Sequence, residues 1–245
     1  MYSHYEQLEL EGLSMVIGII GAMKEEIELM KEEMDIESEK KIARITFYSG
    51  TMGKHKIVLC KSGVGKVNAA LTTQILIDHF QTAKIVFTGV AGALDPNLNV
   101  GDIVISTSAL QHDIDASPLG FKRGEIPMFE HTSDFPADAS LIELAMKASE
   151  QLNIQVLKGR ILSGDQFIAS QELVQELQDT FSGACVEMEG SAVAQAAMLN
   201  DIPYVIIRSI SDKANGEAKM SFNEFVEVAA KQSNFIVKAM LEHME

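Results

Sequence analysis

The stretch Tyr204-Val-Ile-Ile-Arg-Ser-Ile-Ser-Asp212 is a nearly continuous apolar run that ends in an acid. Such a run predicts a strand buried on both faces of a parallel sheet. Because side chains alternate along a strand, Ile206, Arg208, Ile210 and Asp212 are expected to share one face. A buried charge is costly unless it is paired or functional. A structural Arg–Asp pair and a ligand site at the carboxyl end of the strand are both compatible with this pattern.

Two other short apolar segments also lead into acids. Met15-Val-Ile-Gly-Ile-Ile-Gly21 precedes Glu25 and Glu26, and Cys185-Val-Glu-Met-Glu189 precedes a helical segment at 190–199. An acid in the first turn of a helix complements the helix dipole, so each acid alone has a structural explanation. Three separate strand ends that each deliver carboxylates are harder to explain in that way, and together they predict a shared site.

The order of strand and helix signals predicts the fold class. Strand-like and helical segments alternate throughout the 245 residues, and no linker, repeat or composition break divides them. We therefore predict a single α/β domain with a mixed, mostly parallel central sheet and helices on both faces. A hairpin-like turn at 50–55 adds antiparallel pairing. Residues 110–135 form a long segment with prolines, glycines and aromatics, which is typical of a functional or interface loop.

Composition narrows the class of partner and the compartment. A net charge of −15 argues against nucleic acid or an anionic membrane surface as the partner. Cys60 and Cys185 lie in apolar segments, which indicates buried, reduced thiols in a cytoplasmic protein. No apolar stretch approaches the ~20 residues of a membrane span. Residues 1–14 lack the features of a signal peptide, and we expect them to be an added leader before a domain at 15–245.

Three local motifs have alternative interpretations. Ser62-Gly-Val-Gly-Lys66 suggests a phosphate loop but lacks the required spacing, so the glycines more simply allow close approach to a ligand. Thr88-Gly-Val-Ala-Gly-Ala93 is read as a strand followed by a small-residue turn, suited to contact with a flat ligand or to tight packing. His112-Asp-Ile-Asp115 has no further His or Cys at ligand spacing, which favours hydrogen-bonded loop residues over a metal site.

Six segments in order carry a resemblance to a known family. They are Gly18-Ile-Ile-Gly-Ala-Met-Lys-Glu-Glu26, Lys61-Ser-Gly-Val-Gly-Lys-Val67, Thr88-Gly-Val-Ala-Gly92, Ser163-Gly-Asp-Gln-Phe-Ile168, Val186-Glu-Met-Glu189 and Arg208-Ser-Ile-Ser-Asp212. The set resembles the signature blocks of the 5′-methylthioadenosine/S-adenosylhomocysteine nucleosidases, within the wider nucleoside phosphorylase family. The resemblance runs from Met15 to the C-terminus.

The resemblance implies hydrolysis of the adenine–ribose bond of small thioadenosines, without a metal or an organic cofactor. Asp212 would protonate a ring nitrogen of adenine, and Glu26 would activate the water with Arg208 nearby. Adenine is a poor leaving group until it is protonated, and a positioned acid or base typically contributes ~10²–10⁴ in rate. Carboxylates near the sugar would stabilise its developing positive charge.

The resemblance also implies a set of substrate-binding residues and a homodimer. The set comprises Glu189 on the ribose hydroxyls, Met188 against the sugar, Phe167 near adenine, backbone contacts from Ile168 and Gly92, Phe222 in an apolar slot for the alkylthio tail, and Glu187 and Ser211. Leu119 and Pro127 match positions that complete the neighbouring subunit's pocket. Val90 stands where some members carry a serine, and Leu119 where others carry an aromatic.

Two rival functions differ from hydrolysis in testable ways. A phosphorolytic purine nucleoside phosphorylase would need a basic phosphate pocket, whereas Glu25 and Glu26 occupy the loop where those enzymes carry an arginine. A non-catalytic adenosine-binding module would explain a pocket but not three converging carboxylates.

Overall fold

The structure is a computed structural model that describes residues 15–213 and 218–244, and of residues 218–224 the backbone only. The expected leader at residues 1–14 and the Phe222 side chain therefore lie outside the described residues.

The described residues form ten strands and six α-helices in one α/β unit. The strands are β1 Val16–Gly21, β2 Asp35–Ile42, β3 Ile45–Met52, β4 His55–Lys61, β5 Thr82–Ala93, β6 Ile103–Gln111, β7 Asp134–Pro136, β8 Val156–Ser163, β9 Cys185–Glu187 and β10 Tyr204–Asp212. The helices are α1 Lys24–Glu33, α2 Lys66–Phe80, α3 Ala139–Ser149, α4 Gln171–Phe181, α5 Gly190–Leu199 and α6 Ala218–His243. None of these helices is long and apolar enough to cross a membrane.

The strands form one mixed sheet, as the sequence predicts. Its order is β10-β6-β8-β9-β5-β1-β4-β3-β2, with β7 beside β6 and an additional pairing between β10 and β5. That additional pairing closes β10, β6, β8, β9 and β5 into a ring. β1 pairs in parallel with both β4 and β5, and β5 pairs in parallel with β10. The ring brings the ends of strands that are distant in sequence next to one another.

Helices cover both faces of the sheet, which confirms the predicted layering. On one face, α2 and α5 contribute Ala69, Leu76 and Val193 to a core with Phe87 of β5. On the other face, a second core contains Met30 of α1, Leu141 of α3 and Val237 of α6. Burial of these apolar side chains is the main source of folding free energy.

Three elements differ from the sequence-based prediction, namely β2, the end of β5, and the short strand β7 at the end of the segment expected to be a loop. β2 was not predicted, because all but the last of its residues are exposed and the strand therefore carries no alternating hydrophobic pattern. Gly89-Val-Ala-Gly-Ala93 is not a turn but the end of β5, which continues to Ala93. Small residues persist in a strand here because β10 pairs with residues 89–92 and β9 pairs with Gly92 and Ala93, so both neighbours supply hydrogen-bonding partners.

A β-bulge lies at the end of β10. The register against β5 runs from Tyr204 opposite Ile85 to Ile210 opposite Ala91, and then shifts so that Asp212 faces Gly92. A bulge changes the direction in which the following side chains point. The simple alternation predicted for β10 therefore ends at Ile210, just before the acid that the sequence singled out.

Candidate functional site

A pocket of ≈ 220 Å³ lies where the ends of β1, β5, β8, β9 and β10 meet. It is lined by Ala22, Met23, Glu26, Val64, Val90, Ala91, Gly92, Gln166, Phe167, Ile168, Val186, Glu187, Met188, Glu189, Ser211 and Asp212. The three strand ends that deliver carboxylates in the sequence thus meet at one cavity. None of the described lining residues is a lysine or an arginine, so the ionisable side chains of the wall are all acids, beside the neutral Gln166 and Ser211.

Glu26 lies buried in the first turn of α1, with its carboxylate held by backbone N–H groups. Ala22 and Met23 donate to Oε2 at 2.6 and 2.9 Å, and Val90 of β5 donates to Oε1 at 3.2 Å. Burial raises the pKa of Glu26, although the charge of Arg208 and these three donors oppose the increase. The side chain therefore caps its helix and also presents a carboxyl group to the pocket.

Gly89 makes this position of Glu26 possible. A Cβ atom on Gly89 would lie 2.5 Å from Glu26 Oε1 and 3.2 Å from Arg208 Nη1. No side chain fits into that space without displacing the carboxylate. The absence of a side chain at Gly89 thus leaves room for Glu26 and Arg208, and other small residues of this segment border the cavity.

Arg208 lies behind the pocket wall rather than in it. Its guanidinium is buried, donates from Nη2 to Glu187 Oε2 at 2.6 Å, and stacks 3.9 Å from the ring centroid of Phe87. Burial lowers the pKa of Arg208, but Glu187 and Glu26 outweigh this and raise it, so the group stays charged. A permanent cation under the pocket offsets part of the charge of the surrounding acids.

Glu187 is the most heavily hydrogen-bonded acid of the site. Besides Arg208, it accepts the hydroxyl of Ser163, the N–H of Gly190 at 2.8 Å and the N–H of Glu189 at 3.2 Å. Charge-assisted hydrogen bonds of this kind are short and strong. The side chain is fixed at the start of α5 and has little freedom to move toward a ligand.

Glu189 faces the glycine-rich turn that precedes α2. Gly65 donates its N–H to Glu189 Oε1 at 2.7 Å, across 124 residues of sequence. Burial, reinforced by the negative charge of Glu187, raises the pKa of Glu189 to about 8. A carboxyl group with this pKa is mainly protonated at neutral pH and can both donate and accept a hydrogen bond.

Asp212 and Ser211 border the pocket from the bulged end of β10. Both are buried, and the Ser211 hydroxyl donates to Asp212 Oδ2 at 2.9 Å. Because the bulge breaks strict alternation, both side chains line the same cavity. The acid that ends β10 is therefore a wall residue of the site.

The loop after β8 forms a further part of the wall. Ile168 is buried, whereas Phe167 is 53 % exposed and lies at the rim. Met188 and Gly92 also line the cavity. Carboxyl groups and apolar side chains thus line the same pocket, which suits a ligand with both polar and flat or apolar parts.

The remaining predicted residues lie elsewhere. Leu119 is 73 % exposed in a 3₁₀ turn, and Pro127 is half-buried in the same 110–135 segment; neither lines this chain's cavity. Sequence reasoning assigned no role to several lining residues, namely Ala22, Met23, Val64, Ala91, Gln166 and Val186. All of them lie within or beside the six segments quoted above, which was the available signal.

The glycine-rich turn and the charged residues near His112 make hydrogen bonds within the protein. The N–H groups of Gly65 and Lys66 are taken by Glu189 and Asp165, and the Lys66 ammonium by Asp113 and Gln111. No group of three or more acids, histidines or cysteines within the described ranges is arranged to hold a metal ion. Cys60 and Cys185 are free and buried, in agreement with the prediction.

Comparison with known proteins identifies relatives along nearly the whole chain. The family model for the phosphorylase superfamily matches residues 16–242. The 5′-methylthioadenosine/S-adenosylhomocysteine nucleosidase of Halalkalibacterium halodurans is 45 % identical over 92 % of this chain and 97 % of its own. Its namesake from Colwellia psychrerythraea, solved with adenine, is 41 % identical with a TM-score of 0.89, covering 94 % of this chain and 95 % of that one. Helicobacter pylori futalosine hydrolase is 35 % identical with a TM-score of 0.90, covering 94 % and 99 %.

Proposed function

This chain belongs to the phosphorylase superfamily, and we propose that it hydrolyses the adenine–ribose N-glycosidic bond of 5′-methylthioadenosine and S-adenosylhomocysteine. The products are adenine and the corresponding thioribose. The observation that carries the proposal is the meeting of Glu26, Glu187, Glu189 and Asp212 at one small pocket that is also lined by apolar residues.

Asp212 is assigned as the acid that protonates adenine. The bond to be broken is the N-glycosidic bond, and its electron pair leaves with the base, so a proton on a ring nitrogen is needed to make that departure easy. What supports the assignment is that Asp212 is buried in the wall and already has a hydrogen-bonded neighbour in Ser211. Ser211 would hold the carboxyl group in the direction of the base.

Glu26 is assigned as the base that removes a proton from the attacking water. Oε1 of this carboxyl group receives one backbone hydrogen bond, from Val90, whereas Oε2 receives two. Oε1 thus keeps more capacity to accept a further proton. Arg208 is held beneath by Glu187 and stabilises the ionised form of Glu26 through its charge.

The remaining wall residues are assigned to substrate binding. Glu189 would hold the ribose hydroxyls and Met188 would pack on the sugar, while Phe167 would stack on adenine. Ile168 and Gly92 would contribute backbone contacts, and Phe222 would line the alkylthio slot. The acids that surround the sugar also favour the positive charge that develops on it as the bond breaks.

Hydrolysis fits the pocket better than phosphorolysis. A phosphate ion would enter a cavity whose described ionisable wall residues are all acids, while the neighbouring Arg208 is already paired with Glu187. Like charges in a low-dielectric site repel strongly. Water, being neutral, meets no such barrier.

The proposal includes a homodimer in the cytoplasm, with the protein acting in methionine salvage and the methyl cycle. Val67 and Leu71 are exposed and four residues apart on α2, so they lie on one side of the helix, and with Val64, which is exposed in the turn just before it, they give an apolar stripe. Val64 also lines the pocket, so a partner seated on this stripe would reach the rim, where its Leu119 and Pro127 could complete the site. Sedimentation should give about twice the 26.8 kDa chain mass.

One assay tests the proposed reaction. Methylthioadenosine is incubated with the protein in the presence and absence of phosphate, and both adenine and the sugar are quantified. We expect free methylthioribose as the sugar product and a rate that does not depend on phosphate. A sugar 1-phosphate as the main product would establish phosphorolysis instead, and binding of adenine without turnover would indicate a non-catalytic module.

A further inference from the structure

A group of charged residues outside the pocket joins its two walls. Lys66 begins α2, Asp113 follows β6, and Asp165 lies in the loop after β8 that continues into Phe167 and Ile168. The Lys66 ammonium donates to Asp113 Oδ1 at 2.6 Å. Asp113 in turn accepts the N–H of Asp165 at 3.0 Å through Oδ2.

A second connection closes this group into a cycle. Asp165 Oδ1 accepts the backbone N–H of Lys66 at 2.8 Å, so Lys66 and Asp165 are joined both directly and through Asp113. Burial acts to raise the pKa of Asp113, but hydrogen bonds from Lys66 and Asp165 outweigh it and hold the pKa below its ordinary value. Asp113 is therefore ionised at neutral pH and binds both partners at once.

The three residues of this cycle lie next to residues that contact or line the pocket. The residue before Lys66 is Gly65, whose N–H holds the carboxylate of Glu189. Its φ of +100° lies in the region that favours glycine, so the turn depends on this residue type. Two residues after Asp165 comes Phe167, at the rim.

The base of the same loop is packed tightly. Gly164 donates its N–H to the carbonyl of Glu187 at 3.2 Å, and a Cβ atom on it would lie 2.4 Å from Nε2 of buried His112. The loop thus packs against His112 at Gly164, and the next residue, Asp165, donates its N–H to Asp113. These contacts fix the direction in which the loop leaves β8.

We propose that Lys66, Asp113 and Asp165 form a positioning clamp, which holds the Phe167–Ile168 wall at a fixed distance from Glu189. The clamp rests on the proposed function, because its purpose is to keep the nucleobase contacts and the ribose contact in register. Its members are positioning residues: none of the three lines the pocket. The cyclic arrangement matters because an isolated, partly exposed ion pair would contribute little.

The test compares two aspartate-to-asparagine changes with similar surroundings. Asp113→Asn breaks the clamp, and Asp134→Asn is the matched control, because Asp134 also accepts two hydrogen bonds from a partly exposed cation, Arg160. Adenine binding is measured by calorimetry. The constants kcat and KM are measured with methylthioadenosine as the substrate, and the melting temperature of each variant is also determined. Calorimetry with adenine does not require turnover, so it is independent of the hydrolytic proposal.

We expect Asp113→Asn to weaken adenine binding and raise KM by about tenfold, the size typical of losing one charged positioning contact, with a smaller change in kcat. Asp134→Asn should lower the melting temperature by a similar amount and leave adenine affinity unchanged. Lys66→Met should weaken adenine binding as much as Asp113→Asn does. The variant that combines Lys66→Met with Asp113→Asn should bind adenine no more weakly than either single variant, and Lys66→Arg should retain most of the affinity.

The outcomes separate the two proposals. If the unaltered protein binds adenine but Asp113→Asn binds it equally well, or if both aspartate variants lose affinity together, the clamp is refuted. If the unaltered protein binds no adenine and produces none from methylthioadenosine, the proposed function itself fails.

Discussion

The floor and the rim of the pocket are built in opposite ways. On the floor, Glu26 and Glu187 are buried and each accepts at least three hydrogen bonds, and Arg208 is fixed between them by charge. On the rim, Phe167 and Val64 are about half exposed. Groups that must be placed accurately relative to a reacting bond are thus held by the backbone, whereas groups that contact the flat faces of a ligand lie on exposed segments.

This difference predicts which kinetic constant each region controls. A floor residue that acts only as the bond breaks affects kcat, whereas a rim residue that binds substrate and transition state equally affects KM. Substitutions on the floor should therefore change mainly kcat, and substitutions on the rim mainly KM.

The largest effect is expected at the acid assigned to protonate the base. Asp212→Asn is nearly isosteric and leaves an acceptor for the Ser211 hydroxyl, so the variant should fold. An amide cannot supply the proton, and kcat on methylthioadenosine should fall by about 10²–10⁴. A thioriboside whose leaving group departs as a stable anion needs no protonation and should lose much less. Equal losses on the two substrates would make Asp212 structural.

Glu26→Gln should lower kcat by about 10² or more while adenine binding persists. The matched control is Glu25→Gln, since Glu25 is the preceding residue of the same helix turn but is exposed. Loss of dipole complementarity would affect both variants alike, by at most ~1 kcal/mol of stability. Near-normal turnover of Glu26→Gln would contradict its role as a base.

The pH dependence of the unaltered protein tests the same residue. A general base must be ionised, and burial places the pKa of Glu26 above the ordinary value of 4.5. The ionised fraction, and with it kcat/KM, should therefore fall as the pH decreases through that raised pKa. If kcat/KM instead decreased with an apparent pKa at or below 4.5, the ionisation of Glu26 would not control the rate.

A rim substitution should act on binding instead. Phe167→Ala removes an aromatic face, and base–aromatic stacking is worth ~1–3 kcal/mol. Because the ring is half exposed, we expect the lower end of that range, about a fivefold increase in KM with kcat little changed. Phe167→Tyr should retain the affinity. A large loss of kcat in Phe167→Ala would remove the distinction between rim and floor.

The smallest effect concerns stability. The folded state raises the pKa of Glu189 from 4.5 to about 8, so its contribution is fully present below pH 4.5 and is lost as the pH rises through about 8. Glu189→Gln keeps an acceptor for the Gly65 N–H and cannot ionise. Its melting temperature relative to the unaltered protein should therefore increase between pH 5 and pH 8, by a few degrees. A difference that is constant with pH would mean that Glu189 is not shifted.

Most of the strands and helices could be predicted from local sequence patterns. The apolar run at 204–212 and the helical periodicity around it are consequences of alternation and burial, which can be read from neighbouring residues. The pattern failed at β2, which is exposed along nearly its whole length, and at the end of β5, where small residues look like a turn. In both places the strand exists because partner strands supply hydrogen bonds, and those partners are not local in sequence.

The site divides in the same way. Local sequence patterns show that acids follow three strand ends, and that these acids lie in segments resembling one family of nucleosidases. The tertiary structure is needed to see that Arg208 forms its ion pair with Glu187 from β9, and that Val90 of β5 and Gly65 before α2 donate hydrogen bonds to Glu26 and Glu189. The physical reason is that these contacts span 21, 64 and 124 residues. They depend on strand order, register and the bulge in β10, none of which a local pattern encodes.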